Sequence, residues 1–130
     1  MEMYEPAIRI PLIFAGPGIR RGRISRPVSH LDVLPTVLER LEIACPVDGD
    51  GISLGTSLCG GDPPPERPVF SQYSGNPVPG DRRRCVVSGR YKYVFSPPDG
   101  RELYDLEDDP YEMRNLALSP THRERLDTLH

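Results

Sequence analysis

A nearly unbroken apolar run close to the start of the chain is typical of a buried strand. It covers residues 8–15, and Gly16-Pro17-Gly18 ends it. A strand that is apolar on both faces belongs in the interior of a parallel sheet, with neighbours on both sides. Parallel neighbours are reached through crossovers of about a dozen residues or more, and no comparable second strand follows. The pattern therefore predicts that the neighbouring strands lie before Met1, in a longer protein.

A second pattern, after a basic loop, is typical of a helix. Leucines recur there at intervals of three and four residues, the spacing of one helical face. They are Leu31, Leu34, Leu38 and Leu41. Ser29 with Asp32 three residues later resembles a capping box, although Glu or Gln is the usual partner. Because Pro35 lacks an N–H group, we expect a tight first turn and then a regular helix that begins near it.

The second half of the chain has the alternation and the turn signals of an antiparallel sheet. Four short segments rich in Val, Tyr and Phe are separated by Gly- and Pro-containing turns. The segments are 68–73, 84–88, 91–95 and 102–105, and the turns are Gly75-Asn76-Pro77, Ser88-Gly89-Arg90 and Pro97-Pro98-Asp99-Gly100. Ser119 and Pro120 then predict the start of a last helix, with Leu126 and Leu129 docked on one sheet face. We expect the other face to meet a larger domain.

Composition adds little that is specific. The 16 Pro and 12 Gly among 130 residues favour loops and short elements, above all in the connector 45–67. No apolar run has the length of a membrane span, and Met1 does not begin a signal-peptide pattern. The net charge of −3 gives no reason to expect nucleic acid or a membrane as a partner. The arginine run 82–84 is more typical of an exposed strand edge than of a nucleic-acid face.

Consecutive blocks along nearly the whole chain resemble the sulfatase family in their order and spacing. The blocks are Met3-Tyr4-Glu5-Pro6, Ile8-Arg9-Ile10-Pro11-Leu12-Ile13, Gly16-Pro17-Gly18-Ile19, Pro27-Val28-Ser29-His30-Leu31-Asp32-Val33-Leu34-Pro35-Thr36, Gly51-Ile52-Ser53-Leu54, Arg67-Pro68-Val69-Phe70-Ser71, Gly89-Arg90-Tyr91-Lys92-Tyr93, Glu102-Leu103-Tyr104-Asp105-Leu106 and Asn115-Leu116-Ala117, with Asp109-Pro110 and Glu112 between the last two. The resemblance implies the C-terminal portion of an arylsulfatase-type enzyme. It also implies an α/β fold, in which the tail of an alkaline-phosphatase-like domain precedes a small antiparallel sheet subdomain with a C-terminal helix. The expected divisions are 1–44, the last strand and helix of the α/β domain, then the connector 45–67, then the subdomain 68–130.

The family resemblance also implies chemistry that these residues do not carry. Sulfatases hydrolyse sulfate esters with a formylglycine nucleophile, made from the cysteine of a C-x-P-S-R or C-x-A-S-R motif, and with Ca²⁺ or Mg²⁺. Cys85 comes nearest, but Val87 and Gly89 stand where Pro or Ala and Arg belong, and Cys45 and Cys59 match less well. The family's metal ligands are missing, and its catalytic lysine would lie just before Met1. We therefore expect no catalytic residue, metal or cofactor in this chain, and no turnover by the chain alone.

A short turn and a basic loop are two further candidate binding sites, the first for calcium and the second for an anion. Asp48-Gly49-Asp50-Gly51 has some likeness to a calcium loop, but a plain turn is the more common use of these residues. The loop 16–29 holds four arginines that can steer an anion, although a solvated loop is the default interpretation. They are Arg20, Arg21, Arg23 and Arg26.

Three residues are candidates for a substrate pocket: Glu5, Arg9 and His30. The first two are four apart and are expected above all to form a structural ion pair. His30 at the helix start is a candidate contact for a sulfated group, with hydrogen bonding to nearby backbone as its ordinary role.

Two other functions stay open at this stage. A phosphodiesterase or phosphonate monoester hydrolase shares the superfamily scaffold, and a non-catalytic module can bind a partner through a face left bare. The partners expected on the sulfatase interpretation are the missing N-terminal sulfatase domain and, for the complete enzyme, a small sulfated substrate.

Overall fold

The computed structural model describes residues 3–44, 48–74 and 82–130. It divides into two compact units, Met1–Pro11 with Arg67–His130, and Leu12–Glu66. The helices are short: α1 (Glu5–Ile8), α2 (Val33–Arg40), α3 (Gly55–Leu58) and α4 (Arg123–Leu129), with single 3₁₀ turns at His30–Asp32 and Pro120–His122. Across the described ranges, none of these helices has the length and apolar character needed to cross a bilayer.

The first unit is built on a four-stranded antiparallel sheet. Its strands are β1 (Val69–Ser74), β2 (Arg82–Ser88), β3 (Tyr91–Ser96) and β4 (Gly100–Asp105), in the spatial order β1-β2-β3-β4. Gly89 and Gly100 have positive φ, 58° and 87°, as the tight turns on either side of β3 require. The predicted antiparallel sheet is therefore confirmed. The predicted turn Gly75-Asn76-Pro77 lies outside the described residues.

One face of the sheet carries the main hydrophobic core. Five buried residues from three strands and the C-terminal region form it: Val86, Tyr93, Leu103, Leu116 and Leu126. Helix α4 supplies Leu126, and Leu129 packs beside it, so the predicted docking of the last helix is confirmed. Ser119 precedes the helix as expected, but its hydroxyl lies 2.8 Å from Thr121 Oγ1 and makes no capping bond to the backbone.

The opposite face of the sheet is covered in part by the start of the chain. Met3 packs against Cys85 and Val94, and the partly buried Ile8, Tyr73 and Val87 pack around this smaller cluster. The ring of Tyr4 meets Tyr104 edge-on, with centroids 6.1 Å apart. Strand alternation explains the arrangement, because Cys85 and Val94 are cross-strand partners and point to the same side.

A side chain takes the place of a further strand along the free edge of β4. Asn115 Oδ1 accepts a hydrogen bond from the Leu103 N–H (3.1 Å), and the Leu116 N–H donates to the Leu103 carbonyl (2.7 Å). The Asn115 amide also donates to the Arg101 carbonyl at 3.4 Å. The segment after β4 therefore satisfies strand groups that the sheet itself leaves unpaired.

The second unit is organised around the start of α2. The capping box is present, since Asp32 Oδ2 accepts from the Ser29 N–H (2.8 Å) and Ser29 Oγ from the Leu31 N–H (3.2 Å). Asp32 Oδ1 also accepts from the Ile52 N–H at 2.9 Å. This buried carboxylate therefore joins the start of the helix to the loop around Ile52, which we call the 50s loop. The 3₁₀ turn and the helix from Val33 agree with the expected effect of Pro35.

The strand predicted for residues 8–15 is not formed. Helix α1 ends at Ile8, and residues 9–15 have no regular secondary structure. Ile13 is 85% exposed, and Ile10 and Leu12 are also exposed. The reason is the lack of a ladder partner, because every strand in the described ranges pairs within the sheet β1–β4.

The leucine stripe of α2 is also largely uncovered in this chain. Leu31, Leu34 and Leu41 are exposed, whereas the residues buried at this helix are Asp32 and Thr36. The period of the stripe therefore predicts the helix correctly, but these leucines do not reach a core within the described residues.

Candidate functional site

The two neighbouring candidates, Glu5 and Arg9, lie on one side of α1. Glu5 begins the helix, and Arg9 follows its last residue. Their side chains form an ion pair, with Arg9 Nη1 3.7 Å from Glu5 Oε2. The expected structural pair is therefore present. The Arg9 side chain is 69% exposed, so its guanidinium remains open to a second anion.

Glu5 also belongs to a buried charged cluster that the sequence did not reveal. This charged cluster consists of Glu5, Lys92 and Glu112. Lys92 Nζ lies 2.6 Å from Glu112 Oε1 and 3.4 Å from Glu5 Oε1. The Lys92 side chain is fully buried, and the side chain of Glu112 is 1% exposed. A buried ammonium is tolerated only when opposite charge surrounds it, which the two carboxylates supply.

The second oxygen of Glu112 joins the start of the chain to the segment after β4. Glu112 Oε2 accepts a hydrogen bond of 2.6 Å from the backbone N–H of Glu5. That N–H lies at the beginning of α1, where a helix has no internal acceptor for it. Oε1 receives no well-angled hydrogen bond within the described ranges, so the contact with Lys92 acts through charge. One carboxylate thus serves both the helix start and the buried cation.

Glu112 holds this position in an unusual backbone conformation. Its φ of 56° lies in the left-handed region, which costs energy for a residue with a side chain. The flanking Tyr111 and Met113 are exposed, whereas Glu112 is buried. The left-handed residue therefore turns a single carboxylate inward from an otherwise solvated segment. Its contacts with Glu5 and Lys92 offset the strain.

The groups around the charged cluster are poor proton donors. Burial raises the pKa of the Cys85 thiol from 9.0 to about 12, and the nearby charge of Lys92 opposes that rise only in part. Burial, reinforced by the hydrogen bond from the Tyr104 hydroxyl to Glu102 Oε2 (2.9 Å), raises the pKa of Tyr104. Both groups are therefore neutral near pH 7. Cys85 in this setting lacks the character of an activated nucleophile.

His30, the third candidate, lies in the other unit. It begins the 3₁₀ turn before α2 and is exposed. Its neighbour Ser29 supplies the capping hydroxyl, so the backbone of this turn is held without the imidazole. The turn fixes the position of His30 and leaves its ring in solvent.

The arginine loop of the second unit, residues 16–29, is held by contacts to Leu58 and Pro64. Arg26 Nη1 donates to the Pro64 carbonyl at 2.5 Å, and the backbone N–H of Arg20 donates to the Leu58 carbonyl at 2.8 Å. Arg40 extends the same set, donating to the Pro17 carbonyl (2.9 Å) and to Cys59 Sγ (3.2 Å). Part of this basic loop is therefore structural.

A second cluster of charge, at the end of β4, has a clear structural role. Arg90 contacts Asp105 at 2.6 Å, Asp108 at 2.7 Å and Glu107 at 3.0 Å. Burial alone would raise the pKa of Asp105. The hydrogen bonds from Arg90 and from the backbone N–H groups of Asp108 and Glu107 outweigh that effect and lower the pKa. Asp105 is therefore a firmly ionised anchor for the hairpin β3–β4.

The described residues do not fit the divalent metal of the family. Among them, no three His, Cys, Asp or Glu side chains are grouped as ligands. The carboxylates of Glu5 and Glu112 already face the ammonium of Lys92. Those of Asp105 and the exposed Asp108 face the guanidinium of Arg90. Residues 48–51 have no helix or strand, an arrangement that a plain turn and a calcium loop share, so both interpretations of this segment stay predictions.

Two members of the charged cluster, Lys92 and Glu112, were not predicted from the sequence, each for a different reason. Lys92 did give a signal, since it is the sole lysine of the chain and alternation places it on the same side as Val94. A charge among inward-facing positions indicates a buried pair. Glu112 gave no signal, because its inward orientation depends on one left-handed residue and on contacts with a distant part of the chain.

Comparison with known proteins gives a consistent result. The family model for the C-terminal region of N-sulphoglucosamine sulphohydrolase matches residues 1–130. The Delta 4,5-hexuronate-2-O-sulfatase of Bacteroides thetaiotaomicron is 37% identical over 134 aligned residues, which cover 94% of this chain and 27% of the relative. The solved structure of a 2-O GAG sulfatase is 35% identical with a TM-score of 0.74, covering 89% of this chain and 27% of its own.

A solved phosphonate monoester hydrolase is also similar. The enzyme from Silicibacter pomeroyi is 26% identical with a TM-score of 0.72, over 88% of this chain and 26% of its own. The present chain thus spans about a quarter of the length of the relatives it matches.

Proposed function

The chain belongs to the sulfatase family, and we propose that it is the C-terminal part of a sulfuric ester hydrolase whose nucleophile and metal ligands lie in other residues. The observation that carries this proposal is the match of a sulfatase C-terminal model to all 130 residues. In such an enzyme a formylglycine, with Ca²⁺ or Mg²⁺, supplies the nucleophile and the charge that cleave the sulfate ester. The residues described here do not fit either group, so their role is confined to binding and positioning.

Within that enzyme, Arg9 is the proposed contact for a small sulfated substrate. A guanidinium offers paired N–H donors to two oxygens of a sulfate. The ion pair with Glu5 at 3.7 Å restrains the side chain, and the exposure of Arg9 leaves donors free for an anion. Glu5 in turn is held by Lys92 and by its own backbone bond to Glu112. His30 belongs to the other unit and is proposed separately as a candidate contact for a sulfated group, able to donate a hydrogen bond from a fixed turn.

The proposed partner of this chain is the N-terminal sulfatase domain. Support comes from the apolar side chains that the second unit leaves exposed: Ile13, Leu31, Leu34, Leu41 and Ile43. Apolar residues at helical spacing are ordinarily covered, so they point to further sheet and helix from the rest of the enzyme. On this proposal residues 1–44 complete the α/β domain, 45–67 connect it, and 68–130 form the subdomain.

The experiment compares the purified 130-residue chain with the same chain extended by the N-terminal domain of the sulfatase. We expect the chain alone not to hydrolyse 4-nitrophenyl sulfate, with or without Ca²⁺, and the extended protein to do so. In the extended protein Arg9→Ala should raise KM with a smaller effect on kcat. Arg101→Ala, an exposed arginine paired only loosely with Asp127 at 3.9 Å, is the matched control. Metal-dependent turnover by the chain alone would contradict the proposal.

A phosphonate monoester hydrolase is the second candidate, favoured by the structural similarity to the Silicibacter pomeroyi enzyme. The two reactions differ in the atom attacked, sulfur or phosphorus. Both esters are monoanions, so the groups that the pocket binds differ in the organic substituent that a phosphonate carries on phosphorus rather than in charge. The extended protein should be assayed with 4-nitrophenyl sulfate and with 4-nitrophenyl phenylphosphonate under the same conditions. A higher kcat/KM for the phosphonate would replace the sulfatase proposal.

A non-catalytic binding module is the third possibility. If the exposed apolar face serves a partner other than the N-terminal domain, adding that domain in trans should leave the elution volume of the chain unchanged in size-exclusion chromatography. Formation of a one-to-one complex supports the sulfatase proposal.

A further inference from the structure

Residues 3–8 lie across one face of the sheet and are held there by few contacts. We call this segment the strap. Met3 is its one fully buried side chain, packed on Cys85 and Val94, and α1 itself has no buried residue. Within the described ranges, no backbone hydrogen bond joins the strap to a strand. The attachment therefore depends on Met3, on the partly buried Ile8, on the edge-on contact of Tyr4 with Tyr104, and on polar contacts of Glu5.

The sheet beneath the strap has separate support. Its strands pair over their whole length, from Val69↔Val87 to Ser96↔Gly100. Its main core lies on the opposite face, where Leu103 and Leu116 pack against Leu126 of α4. Elements with few buried contacts open at lower free energy than the core that they cover. Removing the strap would leave this core and its strand ladders intact.

The polar contacts of the strap contribute little net stability, so they break readily. The bond from the Glu5 N–H to Glu112 and the contact of Glu5 with Lys92 are two of its long-range polar contacts, and the Tyr4 side chain also hydrogen-bonds with Tyr104. A buried ion pair gives little net stability, because both charges lose hydration when they are buried. When the strap lifts, water can again reach Glu5 and Lys92, and that recovered hydration lowers the cost of opening. If one member is removed, the remaining buried charge drives the strap open.

We propose that the strap opens and closes as a unit on a folded sheet, with Lys92 as the latch that keeps it closed. The closed state needs Lys92 between Glu5 and Glu112. The open state exposes the face of the sheet on which Met3 lies. This inference does not depend on the proposed enzymatic function, since it concerns residues of this chain alone.

The chain contains its own reporter of this motion. Cys85 is buried directly beneath Met3, whereas Cys59 is exposed. A thiol reagent therefore reaches Cys85 only when the strap lifts or the sheet unfolds. These two routes differ in their response to denaturant, because strap opening exposes little surface and global unfolding exposes much.

The test uses the 130-residue chain with Cys45→Ser and Cys59→Ser, so that Cys85 is the single thiol. Its modification by DTNB is followed with increasing urea, beside the circular dichroism of the sheet. We expect a rate that is nearly independent of urea at low concentration, which marks opening without unfolding. Lys92→Met in this background should raise that rate by at least about tenfold while the sheet signal persists. A rate that in every variant follows global unfolding alone would overturn the proposal.

Two further variants keep the test decisive. If Lys92→Met does not fold, Glu5→Gln retains the size of the side chain and the Lys92–Glu112 pair, and a smaller rise in rate is expected. Arg101→Met removes a cation from the opposite face of the sheet and should leave the rate unchanged. If Glu5→Gln and Arg101→Met give equal rates, Lys92 is not a latch.

Discussion

Lys92 Nζ and Glu112 Oε1 lie 2.6 Å apart with both side chains shielded from solvent, and this pair joins the middle of the sheet to the segment beyond it. Because Glu112 also accepts from the Glu5 N–H, the pair reaches the start of the chain as well. The contacts among the start of the chain, β3 and the segment after β4 thus depend on the side chains of Lys92 and Glu112.

Removing the ammonium should destabilise the first unit. We expect Lys92→Met to lower the free energy of unfolding by up to about 3–5 kcal/mol, since it leaves two carboxylates without their buried cation. Opening of the strap lets water reach Glu5, which limits this loss of stability. Urea unfolding followed by circular dichroism measures it. Arg101→Met, which breaks a loose surface pair, should change the value by less than about 0.5 kcal/mol. Equal losses for the two variants would contradict the assigned role of Lys92.

Leu103 and Leu118 provide a matched pair for the hydrophobic core. Leu103 is fully buried between the strands and α4, whereas Leu118 is 94% exposed. Leu103→Ala should cost about 2–5 kcal/mol, because it removes buried methyl groups and leaves a cavity. Leu118→Ala should be nearly neutral. Thermal or urea unfolding of both variants measures the difference, and a costly Leu118→Ala would mean that this leucine is covered in solution.

The lowered pKa of Asp105 predicts a loss of stability in acid. A carboxylate whose pKa is depressed in the folded state stabilises the protein above the pKa of the unfolded chain, about 4. That contribution is lost as the pH falls below this value and through the folded pKa. Asp105→Asn should reduce stability at pH 7 and weaken the decline of stability as the pH falls below about 4. Urea unfolding across this range tests it, with the exposed Asp127→Asn as control. An unchanged acid decline in Asp105→Asn would contradict the prediction.

Gly51 should resist substitution where its neighbour Gly49 does not. A Cβ on Gly51 would collide with the backbone carbonyl of Leu31, at the point where the 50s loop meets the start of α2. A Cβ on Gly49 would meet open space. Gly51→Ala should therefore destabilise the second unit by about 1–3 kcal/mol, as overpacking does, and Gly49→Ala should be tolerated. Hydrogen exchange of the α2 amides measures this locally, and equal protection in both variants would argue against the close contact.

The elements that local signals determine were predictable. The hairpin turn at Gly89 needs only a dipeptide that accepts positive φ, and the capping box needs only Ser29 and Asp32 three residues apart. The sheet follows from alternation between such turns. In each case the residues that form the element are close in the sequence.

The features that depend on distant partners were not predictable. Residues 8–15 have the composition of an interior strand, but a strand also requires a neighbour with which to pair. No described strand pairs with these residues. Glu112 lies in an acidic, turn-rich segment, where nothing local distinguishes it from the solvated carboxylates around it. Glu5 and Arg9 were placed together correctly because they are four apart. Lys92 completes their environment only through the folded sheet.

The bonds of Asn115 along β4 have a consequence for self-association. Sheets of different molecules can join when a bare outer strand offers its main chain to a second one. Here the amide of Asn115 and the N–H of Leu116 already occupy groups on Leu103 and Arg101. A visiting strand would have to displace them first, so one side chain and one backbone N–H together protect this border of the sheet from fibril-like stacking.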